Sequence, residues 1–299
     1  MSFRSRPVWV YVSLTVLLVL LLLTIWLGED SGDRQRIAPQ PEASDVVFEE
    51  SEPVDVGAHP SSTEEDKKPL PVPKADRGIA LILDDVGYDL PALRRMLALH
   101  LPVAIAILPN APRAAEAAKL AHAAGHPVML HMPMEPANPH YHQHMDNSFI
   151  RIGMQRQEVR RRMKEALARV PYVEGVNNHM GSGLTALEEP MRWVMEVCRE
   201  KKLFFVDSRT NKDSVAARMA RESGLRWGER RIFLDNSVAP ELLKKSWQAA
   251  RKRLEKDGFV IVIAHPHRET LDFLQQEISA QDKAAMVPVD RLLHAAQTE

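Results

Sequence analysis

At 299 residues, with 45% hydrophobic and 26% charged residues, the chain has room for one large domain or two small ones plus tails. A formal net charge of -1 gives no support for a nucleic-acid partner, and Cys198 as the single cysteine excludes an intramolecular disulfide.

Residues 1–7 precede an almost wholly apolar run from Val8 to Leu27. About 20 residues at ~1.5 Å each match a ~30 Å hydrocarbon core. Arg4 and Arg6 lie before the run and Glu29, Asp30 and Asp33 after it, so the positive-inside rule leaves residues 1–7 in the cytoplasm. The run is longer than a usual signal-peptide core and no small-x-small cleavage site follows it. A single-pass anchor over residues 8–27 in the inner (cytoplasmic) membrane is therefore expected, with the rest of the chain on the periplasmic side. Residues 28–75 are rich in Pro, Glu, Asp and Ser and poor in large apolar residues, the composition of a disordered linker.

From residue 76 to 299, apolar strand-like runs alternate with helical patterns, the sequence form of a parallel α/β fold. Strands are expected over 79–83, 103–108, 127–130, 173–176, 203–206, 232–234 and 259–264. Helices are expected over 90–99, 113–124, 157–169, 191–201, 214–222, 241–256 and 286–296. At nearly every strand's C-terminal end stands an Asp, Asn or His. In α/β barrels and open α/β sheets that edge gathers active-site groups, so the pattern predicts one site built from distant strand ends.

The first strand runs into Asp84 and Asp85, two acids that packing does not explain, although one of them suits a helix N-cap. His131 ends the third strand, where Pro133 and Pro136 forbid a helix. His179 lies in Asn177-Asn178-His179-Met180-Gly181-Ser182, between polar groups suited to orienting a ring. Carboxylate and imidazole together suit zinc and neighbouring divalent ions. His265 and His267 follow the last strand, and histidine is the usual acid or base near neutral pH. His140, His142 and His144 stand in a loop and are read as solvated; Cys198 is read as a small buried hydrophobe.

The series LILDDVG, LHMPMEP, NNHMGS, VDSRT and IVIAHPH, spread over Arg77 to Leu293, resembles the divergent polysaccharide deacetylases, a branch of the NodB-like carbohydrate esterases. The resemblance implies a distorted (β/α)7 barrel of NodB-like deacetylase type and a metal-dependent N-deacetylase site, with Asp84 as base and Asp85 as metal ligand. The usual second motif carries two histidines four residues apart; here that spacing runs from His131 to Glu135. His179 is expected to replace the missing ligand, with Glu135 as a further candidate ligand or a loop anchor and Asn178 as a further candidate site residue. The usual arginine motif is not evident, and Arg209 after Asp207 is expected to fill part of its role. The implied cofactor is a divalent metal, zinc above all, and the implied substrate an N-acetylated polysaccharide or peptidoglycan fragment. The rival reading is a catalytically inactive metal- or glycan-binding envelope protein that recognises cell wall or a cell-wall hydrolase.

Overall fold

The computed structural model describes residues 77–296, so the expected anchor and linker lie outside the described residues. No helix among the described residues is long and apolar enough to cross a membrane.

Eight parallel strands form one sheet: β1 Gly78–Val86, β2 Val103–Ile107, β3 Val128–Met134, β4 Val173–Met180, β5 Phe204–Asp207, β6 Trp227–Glu229, β7 Ile232–Phe233 and β8 Phe259–Ala264. Their order is β6-β5-β4-β3-β2-β1-β8-β7. Eight helices connect or flank them: α1 Leu90–Leu97, α2 Ala114–Ala123, α3 Arg156–Arg169, α4 Glu188–Glu200, α5 Ala216–Glu222, α6 Pro240–Asp257, α7 Arg268–Gln276 and α8 Ala280–Ala285. The central strands are apolar on both faces because both are covered, as parallel strands require.

One face carries Ala80, Ile82, Ala104, Ala106, Met129, Phe204, Val206, Ile261 and Ile263, and forms an inner core. The other carries Leu81, Leu83, Ile105, Leu130 and Val262 and packs under the helices. Burying each Leu or Ile contributes about 1.5–3 kcal/mol. Gly175 on β4 gives the inner core its room, since a Cβ there would lie 2.1 Å from the Phe204 ring. The inner core is sealed at one end by Val289, Leu292 and Leu293.

The expectation of seven strands needs correction at one place. The segment 232–234 is the short β7, and an unexpected β6 precedes it by only Arg230 and Arg231. These two strands lie at opposite edges of the sheet. Arg230 N donates to Asp207 O of β5 at 2.9 Å, and Arg231 N to Ile261 O of β8 at 2.9 Å. The sheet must therefore curl until its edges lie two residues apart, giving a curled parallel α/β fold. The expected helix over 286–296 is also corrected, to a short 3-10 turn over Val289–Leu292. Its neighbours are used as strand-like bridges, Met286 to Ile79 and His294 to Trp227. Helices α7 and α8, not expected, lie between it and β8; α8 is held by a capping box between Ser279 and Asp282.

Candidate metal and acid–base site

Strand periodicity decides which strand-end groups meet. Side chains alternate between faces, so residues two apart share one. Continuing the inner face past its last apolar residue gives Asp84 after Ile82, His131 after Met129, Ser208 after Val206, Asp235 after Phe233 and His265 after Ile263. On β4 Val176 packs on the outer face, which leaves Asn177 and His179 facing inward. Parity alone would turn Asp85 outward. Between Leu83 and Val86, however, β1 spends one more residue than β2 does between Ile105 and Ile107. This bulge, with Asp85 in the left-handed region at φ 56°, brings its side chain back to the inner side. The cap at the start of α1 is Asp89, whose side chain accepts from Ala92 N at 2.9 Å, so neither member of the acidic pair caps that helix.

Asp85, His131 and His179 converge, with one ligand atom from each lying within 4.8 Å of the others. Asp85 Oδ1 is 2.8 Å from His179 Nδ1 and 3.1 Å from His131 Nε2. Both oxygens of Asp85 are sealed from solvent and neither meets an aligned hydrogen-bond donor, so the groups that face it are the two ring nitrogens at ion-pair distance. A buried carboxylate so placed is costly unless positive charge compensates it. Burial pushes the Asp85 carboxyl upward, but the His179 charge and the two ring nitrogens outweigh it and hold the group well below the usual range. For Asp84 burial dominates over His131 and His265, and the carboxyl rises. The two adjacent acids are thus pushed in opposite directions by their surroundings.

His265 faces the pair from β8. Its Nδ1 lies 2.9 Å from Asp235 Oδ1, and its Nε2 lies 3.8 Å from Asp85 Oδ2. Asp235 is fixed in turn by the backbone N–H of His265 at 2.7 Å and by Thr270 Oγ1 at 2.8 Å. An ionised Asp235 makes Nδ1 the donor and turns Nε2 toward the site. Burial opposes charge on His265, yet Asp235 outweighs it and the ring is pushed up to about 9. His267 is half-buried, stands at the start of α7, and is pushed down by burial. It lies close enough to Asp235 and His265 to form a second cluster, but the short contact to Asp235 is made by His265.

The remaining expected site residues have other partners. Asp207 follows Val206 and so turns outward, where its oxygens accept from Arg209 N, Ser214 Oγ and Ala217 N. Arg209 reaches Lys212 O and lies 3.9 Å from Glu229. The structure brings neither into the cluster. Glu135 is an anchor: its Oε2 accepts from Ile152 N at 2.9 Å, in the loop that holds the Phe149 ring 6.0 Å from that of His179. Asn178 turns outward, donating to Met180 O and accepting from Ser208 N, and ties the ends of β4 and β5.

Three residues were not singled out from the sequence. Asn177 donates from Nδ2 to Asp84 Oδ1 at 2.8 Å and lies with its Oδ1 2.9 Å from His131 Nδ1. Asp235 orients His265. Arg230 is the buried arginine, in the crossover between β6 and β7: it donates to Ser208 O and Arg209 O, and its guanidinium covers the Phe233 ring at 3.6 Å. Asp235 and Asn177 carry the strand-end signal of an acid and an amide; Arg230 has none beyond its neighbours.

A family model described as divergent polysaccharide deacetylase matches residues 81–293, and the chain belongs to that family. It is 32% identical over 222 residues to the uncharacterized protein YibQ of Escherichia coli K12, spanning 74% of this chain and 69% of that one. It is 36% identical over 201 residues to an uncharacterized protein of Haemophilus influenzae Rd, spanning 67% of this chain and 71% of that one. Among solved structures, an uncharacterized protein from Agrobacterium tumefaciens C58 is similar with a TM-score of 0.67 and 17% identity, over 73% of this chain and 90% of that one. At that identity the likeness is one of fold.

Proposed function

We propose that this member of the divergent polysaccharide deacetylase family is a metal-dependent N-deacetylase of N-acetylated envelope glycan, with zinc as its cation. The observation that carries the reading is the convergence of the buried Asp85 carboxylate with His131 Nε2 and His179 Nδ1, flanked by Asp84 and His265. Two imidazoles and a carboxylate fit zinc and leave a position open. A divalent cation held by Asp85, His131 and His179 supplies Lewis acidity toward an amide carbonyl and lowers the pKa of water.

The chain's own residues divide the proton work. Asp84, raised by burial, takes a proton from the attacking water as its oxygen bonds to the acetyl carbon. His265, held protonated by Asp235, gives the Nε2 proton to the departing nitrogen as the C–N bond breaks. The products are acetate and a free sugar amine. His179 and His265 are the members of the group with side chains 9% and 14% exposed, so the substrate approaches between the ends of β4 and β8. The apolar run over residues 8–27 supports an anchor that holds the domain beside periplasmic glycan.

The test is acetate release from N-acetylglucosamine oligomers by the full-length chain loaded with zinc. The parent is expected to release acetate, and Asp84→Asn to release it about 100-fold more slowly or worse. Equal release by both overturns the assignment of Asp84. No release by either, with the oligomer still bound, favours a glycan-binding role.

A further inference from the structure

Asn177 is completely buried, and its amide lies between the two halves of the site. Its Nδ2 is 2.8 Å from Asp84 Oδ1 and 3.3 Å from Ser208 Oγ; its Oδ1 is 2.9 Å from His131 Nδ1. The orientation of the amide follows from Asp84. Ionised, as a base must be, Asp84 offers acceptors only, so the NH2 end faces it, and the amide oxygen then faces His131. An amide oxygen cannot donate, so His131 Nδ1 carries a proton, which leaves Nε2, on the side where Asp85 and His179 lie, as the ring nitrogen able to offer a lone pair to a cation. Reversing the amide would set two oxygens 2.8 Å apart in a buried site.

We infer that Asn177 is a positioning residue with two simultaneous duties: its N–H holds the Asp84 carboxylate in place, and its carbonyl fixes the tautomer of His131 that presents Nε2 to a cation. The inference rests on the reading of Asp84 as base and His131 as ligand. It extends that reading, because one amide then makes the geometry of the base depend on that of a ligand. Asn178, the adjacent amide, has no such duty, since it turns to the other face and bonds backbone groups.

Asn177→Asp separates the two duties. It keeps an oxygen for His131 Nδ1–H and replaces the N–H facing Asp84 with a second oxygen. Asn177→Ala removes both, and Asn177→Ser is a milder deletion for use if the alanine variant does not fold. Each is made in the full-length chain, checked for folding by thermal melting without metal, and titrated with zinc against a chromophoric chelator. The cobalt-loaded forms are compared by visible absorption, which reports the ligand set directly.

Asn177→Ala and Asn177→Ser are expected to weaken zinc binding about 10–100-fold and to alter the cobalt spectrum, as loss of an outer-shell partner does. Asn177→Asp is expected to keep zinc affinity within about threefold of the parent and to keep its cobalt spectrum. Its kcat for acetate release should fall about 100-fold with little change in KM. Parental zinc affinity and cobalt spectrum in the folded alanine or serine variant overturn the inference, as does parental kcat in Asn177→Asp. If the parent itself releases no acetate, the proposed function fails, and the zinc and cobalt measurements still decide whether Asn177 sets His131.

Discussion

The ends of β1 and β5 look alike in sequence and turn their aspartates to opposite faces of the sheet. Each apolar strand runs into a buried aspartate, and each is followed within two residues by a non-glycine residue in the left-handed region, Asp85 at φ 56° and Arg209 at φ 51°. On β1 the aspartate shares a face with Ala80 and Ile82, and a bulge adds the next acid to the same side. On β5 it is Ser208 that shares the inner face with Phe204 and Val206, while Asp207 is turned to the outer one. The same residue type at the same place in the fold therefore faces the imidazole cluster or the helices according to one step of strand parity.

The largest break in that comparison should come from Asp85→Ala. Removing the carboxylate takes away one of three candidate ligands, so zinc affinity should fall by more than the about 10–100-fold expected for a supporting residue. Chelator competition on the full-length chain measures it. Unchanged affinity would place the cation elsewhere.

Asp235→Asn should have the next largest effect and sharpens the role of the opposite rim. Without the carboxylate, His265 should drop from about 9 toward the ordinary histidine value of about 6.5. The basic limb of the kcat profile should move down by about two pH units, because the protonated acid is lost earlier. The linkage has a definite sign. A histidine raised in the folded state stabilises the fold below its unfolded pKa and loses that contribution as pH rises through the folded value. The Tm gap between parent and variant should accordingly be wider at pH 6 than at pH 9.5. A pH-independent gap would mean that the pair does not carry the charge assigned to it.

Much of this site is legible in the sequence because its residue types resist explanation as packing. Asp84, Asp85, His131, His179 and His265 stand at the ends of apolar runs, and the fold brings all five to one side. The rest depends on geometry that the string of residues does not encode locally. A three-residue strand such as β6 carries too little periodicity to be seen, and its partner switch at Arg230 and Arg231 exists only once the sheet has curled. Asn177 and Asn178 are indistinguishable until β4 has a register, which turns Asn177 inward and Asn178 outward. Glu135 sits at the spacing expected of a second histidine ligand but is consumed by the loop over His179. The strand-end signal at Asp207 is the same as that at Asp84, and only the strand's parity turns the one away from the imidazoles and the other toward them.

Asp207→Ala tests the scaffold half of the comparison and should have the smallest effect on the site. The substitution strands the N–H groups of Arg209 and Ala217 and the hydroxyl of Ser214, at a cost of about 1–3 kcal/mol for a buried group left unsatisfied. Burial pushes the Asp207 carboxyl up despite the Arg209 N–H and Ser214, so ionisation of this group opposes folding and its removal offsets part of that cost. The net result should be a Tm lower by a few degrees in a domain of this size. Zinc affinity and the pH profile of acetate release should stay at parental values, because Asp207 faces the helices and Arg230 still donates to Ser208 O and Arg209 O at the rim. A loss of zinc affinity without a loss of Tm would reverse the assignment and make β5 a second catalytic strand end, removing the distinction from β1.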